Sequence, residues 1–234
     1  IRAESVNPPG NETRAAKVLI ELLRREGLEP EFFEPIPDRG NVSVRLRGSA
    51  SAANPKLDPR DPKDGALLLF AHLDVVPANQ DGWTVDPFEG VVKEGYIWGR
   101  GAVDMKGAIA AMVAAVADVP AEAGTISFII TGDEEGPAIN GTVKVLQWMA
   151  ENGHIPDHCI VGEPSCVDKL GDTIKIGRRG SLSFTVTVEG KQGHAAYPHK
   201  ADNPIPKLAR FIDRIAAARL DGGNDHFDPS TLAV

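Results

Sequence analysis

Cysteine is nearly missing from this 234-residue chain: Cys159 and Cys166 are its two, and they form no CxxC pair. Two thiols cannot build a disulfide framework, so a scaffold held by disulfides is excluded. Reduced thiols of a cytosolic protein are the simplest reading. A basic excess is missing as well. Lys and Arg number 25 against 33 Asp and Glu, for a formal charge of −8. A phosphate-backbone binder normally shows the opposite balance, so nucleic acid is set aside as a partner. No apolar run approaches the roughly 18 residues that a membrane helix needs, so no membrane partner is expected. Walker A and GxSxG sequences do not occur, which leaves a P-loop nucleotide site and a serine nucleophile elbow without support. Gly99-Arg100-Gly101 begins like a dinucleotide fingerprint, but Asp104 stands where the third glycine belongs.

What is present is ordinary globular composition, 42% hydrophobic and 25% charged. Asn11 can cap a helix carrying Ala15, Val18, Leu19, Leu22 and Leu23, with Gly27 as its stop. Short strands are expected near 31–33 and 42–46, and a long exposed loop over 48–65, rich in Ser, Ala, Pro and Asp. Residues 66–71 are a continuous apolar run, consistent with a buried central strand, and residues 125–130 and 159–161 read as two further buried strands. Residues 91–98 read as a hairpin turning at Glu94-Gly95. One helix follows Asp104, with Met105, Ala108, Ile109, Met112, Val113 and Val116 on one face. Another carries Val143, Leu146, Met149 and Ala150 and ends at Gly153. Strands alternating with helices predict an α/β fold, a mostly parallel sheet covered by helices on both faces. After about residue 171 the pattern changes. Leu182, Phe184, Val186 and Val188 alternate with polar residues as in a half-buried strand. Asn203 and Pro204 open a helix with Ile205, Leu208, Ile212 and Ile215, and residues 230–234 look β-like. A catalytic domain over 1–175 and part of a smaller α+β lobe over 176–234 are expected.

Four acidic or histidine motifs sit just past strands or the hairpin: Ala71-His72-Leu73-Asp74, Gly101-Ala102-Val103-Asp104, Asp133-Glu134-Glu135-Gly136 and Gly162-Glu163-Pro164-Ser165. Ligands bind at the C-terminal strand ends of α/β sheets. Carboxylates gathered there repel one another unless a cation neutralises them. One imidazole with several carboxylates suits a divalent transition metal such as zinc. Each motif alone has a bland reading: a satisfied buried histidine, a turn cap, a solvated acidic loop, an ordinary turn. Their joint placement after successive strands carries the argument.

These stretches, with His72-Leu73-Asp74-Val75-Val76-Pro77 and Trp98-Gly99-Arg100-Gly101 through Asp104-Met105-Lys106-Gly107, resemble the M20 family of zinc aminoacylases and peptidases. The resemblance covers nearly the whole chain. It implies two zinc ions, with cobalt or manganese as substitutes. His72 and Glu163 would hold one, Glu135 the other, and Asp104 would bridge them. Asp74 would orient His72, and Glu134 would carry the proton from water to the leaving amine. In the smaller lobe, Arg178 would grip a substrate carboxylate, with Ser181 and Tyr197 adding hydrogen bonds. His194 would reach a partner subunit's cleft and stabilise the oxyanion, which implies a homodimer formed through that lobe. Taken alone, Arg178-Arg179 reads as an exposed basic pair and His194 as a turn histidine. His154, His158, His199 and His226 receive no role.

Within the family, Gly177-Arg178-Arg179-Gly180-Ser181, Gln192-Gly193-His194-Ala195-Ala196-Tyr197-Pro198-His199, Asp202-Asn203-Pro204 and Gly223-Asn224 point to the branch that hydrolyses N-succinyl-LL-2,6-diaminopimelate. That is cytoplasmic chemistry of lysine and cell-wall precursor synthesis, on a small N-acyl amino acid. The opening Ser5-Val6-Asn7-Pro8-Pro9-Gly10 is more like acetylornithine deacetylases and related carboxypeptidases, which keeps that branch as an alternative. Family members continue past the position of Val234, and the last histidine ligand of the second zinc would lie there. A fragment, weak at the second metal site, is therefore expected. A non-catalytic metal-binding or dimerisation module is the remaining alternative, and Glu134 speaks against it, since a binding site needs no unliganded acid.

Overall fold

The computed structural model describes residues 1–46, 65–119 and 124–234, so the expected loop at 48–65 falls almost wholly outside the described residues. Two units are present, Ile1–Cys166 and Val167–Val234.

Helix α1 spans Glu12–Arg25 and buries Ala15, Ala16, Leu19, Ile20 and Leu23. Asn11 occupies the N-cap position, but its side chain makes no capping hydrogen bond. The helix ends in a Schellman motif. Gly27 takes φ 76°, its N–H bonds Arg24 O, and the Leu28 N–H bonds Leu23 O.

Five strands form one sheet: β1 (Glu31–Phe33), β2 (Asn41–Leu46), β3 (Ala66–His72), β6 (Thr125–Thr131) and β7 (His158–Val161). Their order is β1-β2-β6-β3-β7. β1 and β2 are antiparallel to their neighbours, while β6, β3 and β7 run parallel. A separate hairpin joins β4 (Val91–Lys93) to β5 (Tyr96–Trp98). Its turn residues Glu94 and Gly95 both take positive φ, as a two-residue primed turn requires.

Helices cover both faces because side chains alternate along each strand. Leu69, Ala71, Phe128 and Ile130 pack with α1 and with α2 (Gly107–Ala117). Leu68 and Ile129 face the other way, onto Val145 and Met149 of α3 (Thr142–Glu151). The helix after Asp104 begins later than its apolar pattern implies. Residues Ala102–Lys106 form a wider turn with non-helical backbone at Asp104 and Met105, and this turn seats Met105 in the core.

In the second unit α4 (Ile205–Ala216) follows Asn203-Pro204 as expected, with the Asn203 carboxamide oxygen accepting the Ile205 N–H at 3.0 Å. The expected strand through Leu182, Phe184, Val186 and Val188 does not form. Leu182 and Phe184 are more than three-quarters exposed. Residues 230–234 are not a strand either. Alternation supplies a face, but a strand also needs a neighbouring backbone to hydrogen-bond. The bridge between Lys191 and Asp202 is the only β-pairing among the described residues of this unit.

Phe128 is fully buried in β6, between β2 and β3. Phe128→Ala is expected to lower the stability of the first unit by about 3–5 kcal/mol, read by chemical denaturation.

Candidate metal centre

The strand order builds the site. β3 lies between β6 and β7 and runs parallel to both, so all three present their C-terminal ends at one edge. His72 closes β3. The turn after β6 carries Glu134 and Glu135, and the turn after β7 carries Glu163. Two backbone bonds carry the pairing on past the strands, Leu73 N–H to Thr131 O at 2.7 Å and Gly162 N–H to Phe70 O at 3.0 Å. Asp104 comes from the turn before α2.

The His72 imidazole is buried. Its Nδ1 lies 2.9 Å from the backbone carbonyl of Asp74, while the Asp74 carboxylate stands 3.6 Å away. That contact leaves Nε2 facing the cleft, 3.0 Å from Asp104 Oδ1 and 3.4 Å from Glu163 Oε1. Donor atoms of His72, Asp104 and Glu135 lie within 4.8 Å of one another, and so do those of His72, Glu134 and Glu163. Asp104, Glu134, Glu135 and Glu163 thus gather round one imidazole.

The electrostatics record the crowding. Burial disfavours a charged His72, yet the adjacent Asp74 carboxylate and the charges of Glu134 and Glu163 prevail and push it up to about 9. Burial also raises Glu135, and the neighbouring Asp104 and Glu134 raise it further. A proton on Nε2 therefore sits where the oxygens converge. A divalent cation fits the same position better, since one imidazole nitrogen and several carboxylate oxygens form a zinc-type donor set. The residues present fit a metal.

Asp74 does more than face His72. It is fully buried, and burial alone would raise it. The adjacent His72 ring and hydrogen bonds from the Asn7 amide and the N–H groups of Glu135 and Glu134 hold it below the usual carboxylate range instead. The Glu134 N–H donates to Oδ1 at 3.1 Å and the Glu135 N–H to Oδ2 at 2.8 Å.

Motif reading missed a polar layer beneath this turn. Asp133, at φ 57°, accepts the Ile139 and Asn140 N–H groups at 3.0 and 2.9 Å. Arg39 meets Glu12 at 2.7 Å and Asp133 at 3.4 Å. Glu12 is buried, which raises it despite Arg39. One signal was available: Glu12, Ala15, Ala16 and Leu19 follow helical i, i+3, i+4, i+7 spacing, so the acid lies on the buried stripe.

The remaining expected residues lie in the second unit. His194 and Tyr197 are close, with ring centroids 5.8 Å apart, while Arg178 and Ser181 are exposed on an irregular stretch.

Residues 68–233 match the model of peptidase family M20/M25/M40. The chain belongs to this family. Among its relatives are proteins named succinyl-diaminopimelate desuccinylase. The one from Beijerinckia indica is 57% identical, over 100% of this chain and 59% of its own length. The one from Granulibacter bethesdensis is 56% identical, over 100% and 57%. The one from Methylorubrum extorquens is 49% identical, over 99% and 59%. The chain thus spans under three-fifths of these M20 relatives. In fold it is similar to an M20 family metallo-carboxypeptidase from Sulfolobus solfataricus, with TM-score 0.64 and 20% identity over 95% of this chain and 48% of that one. A tripeptidase from Staphylococcus aureus gives TM-score 0.56 and 19% identity over 94% and 55%. Among the described residues no helix is long and apolar enough to cross a membrane.

Below about pH 9 a cation must displace the His72 proton. Zinc binding at pH 7 is therefore expected to release protons, and affinity to rise about tenfold per pH unit towards pH 9. Calorimetry in two buffers of different ionisation heat measures both, and a pH-independent affinity would contradict the expectation.

Proposed function

We propose that the protein of which this sequence is part hydrolyses the N-succinyl amide of N-succinyl-LL-2,6-diaminopimelate, giving succinate and LL-2,6-diaminopimelate. The observation that carries the chemistry is the ring of Asp104, Glu134, Glu135 and Glu163 around the His72 imidazole. Identities near 50% to relatives of that name support the substrate. Two zinc ions would be the cofactor: His72 and Glu163 would hold one and Glu135 the other, with Asp104 available to both. When bound, such cations polarise an amide carbonyl and make water a nucleophile near neutral pH.

The chain's own residues do the rest. Asp74 fixes the histidine ring through its backbone carbonyl and carboxylate. Glu134 takes the proton of the attacking water and returns it to the departing amine, so that amide plus water becomes carboxylate plus amine. Arg178 pairs with a substrate carboxylate as a planar two-donor fork, with Ser181 and Tyr197 beside it. His194 stabilises the oxyanion in the cleft of a partner subunit, with a homodimer as the working form. The catalytic domain is residues 1–175 and the dimerisation lobe begins at 176. The cytoplasm, where such precursors are made, is the compartment.

Zinc-loaded protein carrying Glu134→Ala is expected to keep its metal and lose about 10²–10⁴-fold in kcat on the succinylated substrate. Equal turnover before and after would remove Glu134 from the chemistry. Wild-type turnover of N-acetylornithine in place of the succinylated compound would move the protein to the acetylornithine branch. Zinc bound with no turnover of either would favour a binding module.

A further inference from the structure

We infer that Asn7 is a positioning residue whose side-chain amide holds the Asp74 carboxylate and thereby sets the turn that supplies Glu134 and Glu135. The inference rests on the cation-site reading above.

Asn7 is fully buried, and its hydrogen-bond partners Val75, Asp74 and Asp133 are far from it in sequence. Its backbone N–H bonds Val75 O at 2.9 Å, and the Val75 N–H bonds Ser5 O at 3.0 Å, so the opening segment is pinned beside Asp74. Its amide nitrogen donates to Asp74 Oδ2 at 2.9 Å and lies 3.4 Å from Asp133 Oδ1. Two buried carboxylates thus share one neutral donor, and the amide oxygen accepts no hydrogen bond. Space is tight on the other side: a Cβ at Gly136 would collide with the Asn7 amide.

The consequence is geometric. Asp74 Oδ2 accepts from Asn7 and from the Glu135 N–H together, and Oδ1 accepts from the Glu134 N–H. Removing the amide frees the carboxylate to turn about its side-chain torsion, and the two backbone bonds turn with it. That turn supplies Glu135 to one cation-competent group and sets Glu134, the proton carrier, beside His72 and Glu163. Both therefore depend on a residue that ligates nothing. An aspartate at position 7 is the same size, but it replaces the donor with a third charge between Asp74 and Asp133.

The test is a cobalt(II) titration of wild type, Asn7→Ala and Asn7→Asp, read by the visible absorption of bound cobalt, with thermal unfolding of the cation-free forms alongside. Asn7→Ala is expected to bind cobalt about 10–100-fold more weakly, with a changed absorption band, and Asn7→Asp at least as weakly. Should Asn7→Ala not fold, Asn7→Ser, which keeps a hydroxyl donor at shorter reach, is read in its place with the same expected direction. A folded variant with a lowered melting temperature but wild-type affinity and spectrum would assign Asn7 a purely structural role and overturn the inference. So would failure of all the variants to fold. Wild type that binds no cobalt would instead overturn the cation-site reading.

Discussion

A buried carboxylate has to be met by donors, and in this chain that requirement falls on Asp74. With no access to water, its two oxygens are satisfied by the Asn7 amide and two backbone N–H groups of the turn after β6, while the His72 ring stands at ion-pair distance. Those groups come from three separate stretches of chain. Meeting the needs of one side chain therefore brings the opening segment, the end of β3 and the acidic turn into a single arrangement. The positions of Glu134 and Glu135 follow from it.

A second constraint is charge. Four carboxylates around an imidazole repel one another, and the protonated ring offsets only part of that repulsion. An ordinary fold separates such groups. This one converges them: three parallel strands with His72 on the middle one bring Glu134, Glu135 and Glu163 to one edge, and the turn before α2 adds Asp104. The crowding is therefore a property of topology, and it creates the demand for a cation that the donor types are suited to meet.

Beneath the acidic turn, Glu12, Arg39 and Asp133 form a buried polar layer whose charges offset one another in part. It ties α1 and the chain before β2 to the site. Such a layer stiffens the turn from below while Asp74 and Asn7 hold it from the side, and rigid supports of this kind keep a ligand set at its working distances.

Much of this was legible in the residues themselves. The run that becomes β3 could be located because it holds no polar residue before His72, and β6 and β7 by their Ile, Phe and Val, although β7, expected as a buried central strand, lies exposed at the edge of the sheet. The four motifs holding His72, Asp104, Glu135 and Glu163 stood out because each follows a strand or the hairpin, and the family resemblance singled out those four residues within them. The strand expected through Leu182 and Phe184 shows the limit. Alternation is a property of the segment, whereas pairing needs a partner strand. The supporting roles of Asn7, Glu12, Arg39 and Asp133 lie beyond motif reading for a related reason, even though Asp133 stands inside one of the motifs. Their importance comes from contacts across as many as 126 positions, as between Asn7 and Asp133, and only the folded chain makes those contacts. Local pattern located the strands of the main sheet, its helices and the motifs whose side chains are of metal-binding type. Tertiary structure alone decided which buried groups hold them in place, because burial and charge compensation arise only when distant segments meet.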